Sequence, residues 1–536
     1  MLWSVFLLGM SCTETKVEDT AEEVLEDHPL CTALALPTRP FDSTGPSSFR
    51  RHQPSGDLSV PLRDGSTWTL SQEWIGCDSY IFLPHWVSIS SQNTASYWST
   101  GVRDLIKNSP FNVHYFFVPA GVSQGDADLL GAQMEGWIEE GMSSLSEEQQ
   151  NWWRARLHVV GSSSDDISGL VGEAFASDVG MFGFGIDREQ KIRGMGSFAH
   201  IDGYNSSLNA AGEWPFENRL FSAGYEAQYY NFEAARQERL DAVDAMEIEV
   251  FGGDVVEEYE DGTLVLPDAQ TMSSFDTLEI DVLMECPDPD KVEIGNCGAW
   301  DYLAYMWLFD NETESWLEMG RFITSYHRES RWVVDASHAL GWLQEGGDRA
   351  IRYQWAHEWN TQPTGVTLKV RLSNQGKEMA PREVIPLFEG GAFSSTYNDR
   401  EPITAQIPSD AAKVELVAIT TGHGMETNNC AEFCDQEHHF TVGTSTFTQA
   451  FTDPGIDDGC ARKVEDGVVP NQAGTWWFGR GGWCPGQRVD PFVVDVSEEA
   501  PAGSFVSVMY EATQNGFAPQ DGLGKIEHRS WLVVYR

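Results

Sequence analysis

Positive charge is scarce in this sequence. Its 536 residues include 34 Lys and Arg against 82 Asp and Glu, so the formal net charge is -48. Nucleic acid backbones and anionic membrane surfaces attract basic proteins and repel acidic ones. The balance therefore excludes nucleic acid as a partner and predicts a solvated acidic surface.

The apolar run that opens the chain is too short to cross a bilayer. It reads MLWSVFLLGM and is followed by Cys12. This arrangement is typical of an export signal, residues 1–12, that ends at a lipid-modified cysteine, and the acidic residues 13–30 would form a tether. We expect an exported protein, either a cell-envelope lipoprotein held to the outer membrane through Cys12 or a secreted protein.

Cysteine is also infrequent, with nine residues in all, of which Cys12 leaves eight for pairing. Disulfides are the default state of cysteine in an exported chain. Many pairings are open to eight cysteines, and the simplest joins sequence neighbours. Those bridges would be Cys31–Cys77, Cys286–Cys297, Cys430–Cys434 and Cys460–Cys484.

The first folded block, residues 31–243, alternates strand and helix patterns, which indicates an α/β domain. A hairpin is predicted over residues 60–70, around Asp64-Gly65. Near-continuous apolar runs at 80–87 and 113–118 predict buried central strands.

This block resembles the thioredoxin-like fold in its hairpin, in the apolar strand that follows, and in the sequence GIDREQKIR at 185–193. The redox centre of that fold is a CxxC pair just after the apolar strand. Here residues 86–92 read WVSISSQ, without cysteine. We therefore expect a positioning or binding domain without redox activity.

From Met246 onward the pattern changes to short alternating strands separated by Pro, Gly and Asp. Many such strands without intervening helices indicate β-sandwiches. The length calls for two of them, residues 246–375 and 382–536, with a break near 376–381.

The stretch NNCAEFCDQEHH at 428–439 places one carboxylate, Glu432, between two cysteines. Cys430 and Cys434, followed by His438 and His439, are residue types that bind zinc. However, the loop between the cysteine pair and the histidine pair is shorter than in structural zinc sites. A cystine is favoured, which would hold Glu432 rigidly, and the metal site stays open as the alternative.

Three further stretches combine aromatic and charged residues. They are NCGAWDY with Asp301, QWAHEWN with Glu358, and WWFGRGGWCPG with Arg480. An Asp beside a core Trp at a strand edge would account for the first alone. Taken together, tryptophans next to charged groups are typical of sugar sites, because sugar rings stack on aromatics and hydroxyls bind charged partners.

These stretches resemble the peptide-N-glycosidase F family, bacterial amidases that release N-glycans. The matching stretches are ECPD to NCGAWDY (285–302), GRFIT (320–324), GHG (422–424), CAEFC (430–434) and RGGWCPG (480–486). The resemblance covers about 247–536. It implies two adjacent antiparallel β jelly-roll sandwiches, here preceded by the α/β domain, with the active site in the groove between them. It also implies the three disulfides of the β portion.

Carried over by position, the resemblance implies catalytic roles for Asp301, Glu432 and Arg480. Glu358 is expected as a supporting glutamate, although His357 competes for that position. The residues expected to contact substrate are Trp300, Trp359, His423 and Trp483. Two positions depart from the family pattern, Tyr302 for an arginine and Thr421 for a tryptophan, and both concern glycan contacts.

The expected reaction is hydrolysis of the amide between asparagine and the first N-acetylglucosamine of glycopeptides or glycoproteins. Asp301 would deprotonate water, and Glu432 with Arg480 would polarise or position the amide. No cofactor or metal is expected, and the protein is expected to be a monomer. The alternatives are an endoglycosidase, which also uses two carboxylates, and an inactive glycan-binding lipoprotein.

Overall fold

The computed structural model describes residues 28–46, 48–86, 98, 101–200, 218–424 and 428–536. The predicted export signal, its Cys12 and the tether up to residue 27 lie outside the described residues. Within those ranges no helix has the length and apolar character needed to span a membrane.

The N-terminal block is an α/β unit. Its strands are β1 (Ser59–Pro61), β2 (Thr67–Thr69), β3 (Ser79–Trp86), β4 (Val113–Ala120), β5 (Leu157–Val159), β6 (Phe184–Ile186) and β7 (Ile192–Gly194). Its helices are α1 (Pro29–Ala33), α2 (Leu70–Glu73), α3 (Val102–Lys107), α4 (Gln124–Met142), α5 (Glu147–Arg154), α6 (Leu170–Ala176) and α7 (Ala223–Asp241).

One sheet organises this unit, with the strand order β5-β4-β3-β6-β7. Strands β3, β4 and β5 run parallel, while β6 and β7 are antiparallel to their neighbours. The apolar runs predicted as central strands form β3 and β4, and β1 pairs with β2 as the predicted hairpin. Helix α5 begins with a capping box between Ser146 and Gln149, which satisfies free backbone donors of its first turn.

The thioredoxin-like resemblance of this unit stays a prediction. Strand β3 is followed by a helix and the parallel β4, and the β6–β7 hairpin is followed in the chain by α7, an order that agrees with it. Most of the position where the redox pair would stand, residues 87–92, lies outside the described ranges. Cys77 is bonded to Cys31 and is not a free thiol.

The first sandwich follows directly. Its elements are β8 (Ala245–Val256), β9 (Tyr259–Asp268), α8 (Ala269–Met272), β10 (Thr277–Glu285), β11 (Leu303–Asp310), β12 (Ser315–Ile323), β13 (Ser330–Asp335), β14 (Gly346–Gln354) and β15 (Thr364–Ser373). One sheet has the order β13-β10-β15-β8, and the facing sheet contains β12-β11-β14-β9. Side chains of both inner faces fill one core around Ile280, Met306, Phe322 and Leu368.

The second sandwich repeats this arrangement. Its elements are β16 (Pro381–Ala392), β17 (Ile403–Gln406), β18 (Lys413–His423), α9 (Cys430–Phe433), β19 (Gln436–Val442), β20 (Ser445–Phe451), β21 (Arg488–Val489), β22 (Phe492–Asp495), β23 (Phe505–Gln514) and β24 (Lys525–Tyr535). Its sheets are β16-β24-β18-β22 and β17-β23-β19-β20. With β21 set aside, both sandwiches have the strand order 1-8-3-6 over 2-7-4-5, the jelly-roll arrangement of two facing antiparallel sheets.

Strand β21 crosses between the two sandwiches. It belongs to the second block in sequence but pairs with β12 of the first, Val489 opposite Arg321. Arg321 in turn donates to the Thr421 hydroxyl at 2.8 Å and to the Glu527 carbonyl at 2.8 Å, both in the second sandwich. The division at 376–381 therefore separates the two sequences, while the folded sandwiches share a sheet.

Candidate active site

Asp301 lies in the connection between β10 and β11, just after the Cys286–Cys297 bridge. The hydroxyl of Thr324 donates to the Trp300 carbonyl at 2.6 Å and accepts from the Tyr302 amide at 2.8 Å. One side chain therefore holds both neighbours of Asp301. This fixes the direction of the carboxylate although the connection has no regular structure.

Glu432 projects from α9, a single helical turn that the Cys430–Cys434 bridge closes. The turn is fixed from outside as well, because the Gly481 amide donates to the Glu432 carbonyl at 2.8 Å. The backbone of Gly422 passes so close to this turn that any Cβ there would overlap the Ala431 carbonyl oxygen. The glycines of the GHG and RGG stretches thus let three backbone segments meet around one carboxylate.

Arg480 joins the two carboxylates. Its Nε donates to Glu432 Oε1 at 2.9 Å, and its Nη2 lies 3.6 Å from Asp301 Oδ2. The backbone carbonyl of Phe478 accepts from Nη1 at 3.0 Å, and that of Thr475 accepts from Nη2 at 3.1 Å. The side chain is 1% exposed, so the arginine is a fixed part of the site.

Tyr326 completes the cluster. Its hydroxyl accepts from Arg480 Nη2 at 3.5 Å, and hydrogen bonding by this hydroxyl lowers the pKa of the Asp301 carboxyl. Sequence reasoning missed this residue, which stands two positions after the GRFIT stretch. A tyrosine three residues after β12 (Ser315–Ile323), a strand whose end lies at the site, is the only signal the sequence offers.

Burial raises the pKa of Asp301 to about 6, while Arg480 and the Tyr326 hydroxyl lower it and Glu432 raises it further. Burial also raises the pKa of Tyr326 well above its usual range, with Asp301 as the second cause. For Arg480, burial opposes the charge, but Tyr326, Asp301 and Glu432 together raise its pKa. Near neutral pH the site thus contains a carboxylate ready to accept a proton, a fixed cation and a protonated phenol.

Two tryptophans expected to contact substrate are available at the surface. Trp300 is 49% exposed and Trp359 is 74% exposed. The His357 ring stacks on Trp359 at 5.1 Å between centroids and meets Tyr302 edge-on at 4.9 Å. The exposed rings of Trp300 and Trp359 therefore lie near Asp301, where a sugar or peptide group can stack on them.

Glu358 stands in the turn between β14 and β15 and is exposed. Among the described residues it has no hydrogen bond or ion pair to Asp301, Arg480 or Glu432. The structure therefore does not bring the predicted third carboxylate into the cluster. The amide of Asn360, from the same turn, donates to the Tyr302 hydroxyl at 2.7 Å and ties the turn to the site.

Trp483 differs from the expectation of direct substrate contact, whereas the half-buried His423 stays a predicted substrate contact. Trp483 is only 5% exposed, and its indole N–H donates to the Gly422 carbonyl at 2.7 Å. The Arg480 guanidinium lies 4.9 Å from the centre of its ring, and His423 stacks on it at 5.0 Å. In this structure Trp483 supports the arginine and has no ring face free for a sugar, so its predicted role changes to positioning.

The residues of the alternative metal site do not converge. Cys430 and Cys434 are bonded to each other. His438 and His439 are consecutive in β19, so their side chains point to opposite faces of the sheet. His438 bonds to the Tyr510 hydroxyl at 2.8 Å in the core, and His439 bonds to Thr448 at 3.0 Å on the outside.

All four bridges of the neighbour pairing are present. They are Cys31–Cys77, Cys286–Cys297, Cys430–Cys434 and Cys460–Cys484. The last of these closes the segment that leads to Arg480.

Comparison with known proteins identifies the class. Residues 393–533 match the family described as "Peptide-N-glycosidase F, C terminal". A curated relative, the peptide-N(4)-(N-acetyl-beta-D-glucosaminyl)asparagine amidase F of Elizabethkingia miricola, is 23% identical over 291 residues, which are 49% of this chain and 75% of that protein.

Two solved structures are similar to about half of the chain. A crystal structure of peptide-N(4)-(N-acetyl-beta-D-glucosaminyl) asparagine amidase gives a TM-score of 0.44 at 20% identity, covering 55% of this chain and 96% of that one. PNGase F from Flavobacterium meningosepticum, described as a glycosylasparaginase, gives 0.42 at 19% identity, covering 54% and 96%.

The family match and the curated relative confirm the resemblance predicted from the sequence. Residues 393–533 match that family's C-terminal domain, and the chain is similar to the amidase F relative over 291 residues.

Proposed function

We propose that this protein hydrolyses the amide bond between asparagine and the first N-acetylglucosamine of N-linked glycans. The observation that carries the proposal is the placement of Arg480 between a carboxylate of the first sandwich and a carboxylate of the second. The family match over residues 393–533 and the activity named for the Elizabethkingia miricola relative support the same reaction.

In the proposed mechanism Asp301 is the base. As water oxygen attacks the side-chain carbonyl carbon of asparagine, one water proton passes to the Asp301 carboxylate. The pKa near 6 suits this role, because a base works best when its pKa lies near the working pH. Tyr326, which stays protonated, holds the carboxylate in position by its hydrogen bond.

Glu432 and Arg480 act on the amide. Both oxygens of Glu432 accept a hydrogen bond, Oε1 from Arg480 at 2.9 Å and Oε2 from the Gly424 amide at 2.8 Å. The pair presents a fixed dipole to the amide and stabilises charge that develops on its oxygen. When the C–N bond breaks, the nitrogen leaves on the sugar with a proton from Asp301, which gives a glycosylamine and an aspartate in the peptide.

The exposed tryptophans supply the binding surface. Trp300 and Trp359 flank the entrance on the side of the first sandwich, and we assign them to stacking on the sugar or on the peptide next to it. The four disulfides further support a role outside the cytoplasm, in line with the predicted export, on N-glycosylated peptides or proteins.

A defined N-glycopeptide in ¹⁸O-labelled water tests the proposal. Mass spectrometry of both products should find asparagine converted to aspartate with one labelled oxygen, and a glycan that keeps its first N-acetylglucosamine. An endoglycosidase would instead leave one sugar on an unchanged asparagine. Retention of the glycopeptide without either product would show a binding protein and would contradict the proposal.

A further inference from the structure

The α/β unit makes a buried contact with the segment that leads to Arg480, residues 467–480, here called the arginine segment. At the centre of the contact is Glu226 of α7, which is 0% exposed. Its Oε1 accepts from Arg328 Nη1 at 2.9 Å and from Asn471 Nδ2 at 2.9 Å. Arg328 also donates to the Pro470 carbonyl at 2.8 Å. One carboxylate thus joins the α/β unit, the first sandwich and the arginine segment.

Asn471 makes three hydrogen bonds to the α/β unit. Its backbone has a φ of 52°, in the left-handed region, and its side chain is fully buried. Besides Glu226, its Nδ2 donates to the Ser222 carbonyl at 2.9 Å, and its own carbonyl accepts from the Ser197 amide at 2.7 Å. All three of these partners belong to the α/β unit. A left-handed residue tied by these three bonds fixes the path of the chain through it.

The two residues after Asn471 hold Tyr326. The Tyr326 amide donates to Gln472 Oε1 at 2.8 Å, and the Tyr326 carbonyl accepts from the Ala473 amide at 3.2 Å. Hydrogen bonds and the covalent chain from Asn471 to Ala473 therefore connect α7 to Tyr326. The hydroxyl of this tyrosine lowers the pKa of the Asp301 carboxyl.

The same segment also holds the arginine. Thr475 and Phe478 provide the carbonyls that accept from Arg480. Between them Trp476, 0% exposed, packs edge-on against Tyr225 of α7 at 5.7 Å. The buried side of the arginine segment thus packs against α7.

We propose that Glu226 is a positioning residue and that the α/β unit is a built-in support of the active site, which sets Tyr326 and Arg480 against Asp301. The inference rests on the proposed function, because the groups it positions are those assigned to amide hydrolysis. A displacement of about 1 Å in such groups can cost on the order of a hundredfold in rate.

The test compares Glu226→Gln with Glu233→Gln, a matched control. Glu233 lies two turns further along α7, is 18% exposed, and pairs with Arg193 and Arg236. Among the described residues it makes no bond to the arginine segment. Asn471→Gly is the second variant, since glycine accepts the left-handed backbone while the bonds to Glu226 and Ser222 are lost.

Glu226→Gln and Asn471→Gly should lower kcat by about tenfold to a hundredfold with a smaller change in KM. The acid limb of their pH profiles should move to higher pH, because Arg480 and Tyr326 both lower the pKa of Asp301. Glu233→Gln should leave the limb in place even if it lowers the melting temperature. A limb that stays fixed in both test variants, or moves equally in the control, overturns the inference.

Amide hydrogen exchange separates this inference from the proposed function. In Glu226→Gln, exchange should become faster in peptides covering 322–328 and 467–480, and Glu233→Gln should leave both unchanged. If the wild-type protein releases no glycan, the proposed function fails and the exchange result alone decides. Unchanged exchange in these peptides rejects the support role whatever the activity.

Discussion

The two sandwiches hold their carboxylates in opposite ways. In the first, Asp301 lies in an irregular connection and is held through its neighbours by Thr324. In the second, Glu432 lies in a covalently closed turn, and both of its oxygens accept strong hydrogen bonds. A group that must accept a proton has to keep a raised pKa, whereas a group that orients its partners benefits from full pairing. The contrast separates a base from a positioning carboxylate.

The largest expected effect comes from Asp301→Asn, which removes the base and keeps its shape. Turnover of a glycopeptide should fall by about 10²–10⁴-fold, the usual contribution of a general base. The variant should remain folded and be at least as stable as the wild type. In the folded wild type the pKa of Asp301 lies above its usual value of 3.8. Ionising Asp301 therefore costs stability as pH rises from about 4 to about 6, and the variant avoids this cost.

Steady-state rates and thermal melts at pH 7 check both parts of this prediction. Asp348→Asn, an exposed aspartate of β14 in the same sandwich, is the control and should change neither quantity. Near-normal turnover by Asp301→Asn would remove the base assignment, and with it the contrast between the carboxylates.

The second expected effect concerns the closed turn. The double variant Cys430→Ser, Cys434→Ser should lower kcat by on the order of a hundredfold, because Glu432 loses its fixed direction. Its melting temperature should change little, since a bridge across a separation of 4 residues removes little chain entropy. Cys460→Ser, Cys484→Ser opens a separation of 24 residues and should lose more stability. Unfolding of the first variant, or unimpaired turnover, would contradict the clamp role.

The smallest expected effect is the pH dependence. Hydrolysis needs ionised Asp301, whose pKa is raised by burial to about 6. The rate kcat/KM should therefore fall as pH decreases through about 6, by about tenfold per unit below it. A pH profile on one glycopeptide checks this, with circular dichroism at each pH to confirm folding. An acid limb near pH 4 would assign the base to an unperturbed carboxylate.

Local motifs explain what the sequence could predict. Asp301, Glu432 and Arg480 stand in short stretches whose cysteines and glycines have a fixed spacing, so their positions could be predicted without the fold. The alternation of apolar and polar residues likewise predicted the long strands of both sandwiches, because one face of each is buried.

Contacts between distant segments explain what the sequence could not predict. Trp483 stands in a stretch whose composition is typical of a sugar site, but β18 covers its ring in the folded chain. Tyr326 has no motif of its own, and its role depends on Gln472, 146 residues away. Glu226 is an ordinary helix residue in the sequence, and only the fold brings Arg328 and Asn471 into contact with it. Strand β21 has two residues, too few for any periodicity to appear.

The shared strand has a consequence for how the molecule can be divided. A fragment that ended after β15 would expose the edge of β12 where Val489 now pairs, and would leave the Arg321 donors without Thr421 and Glu527. An open edge of this kind invites pairing with other chains. The first sandwich is therefore not an autonomous module for expression or domain grafting.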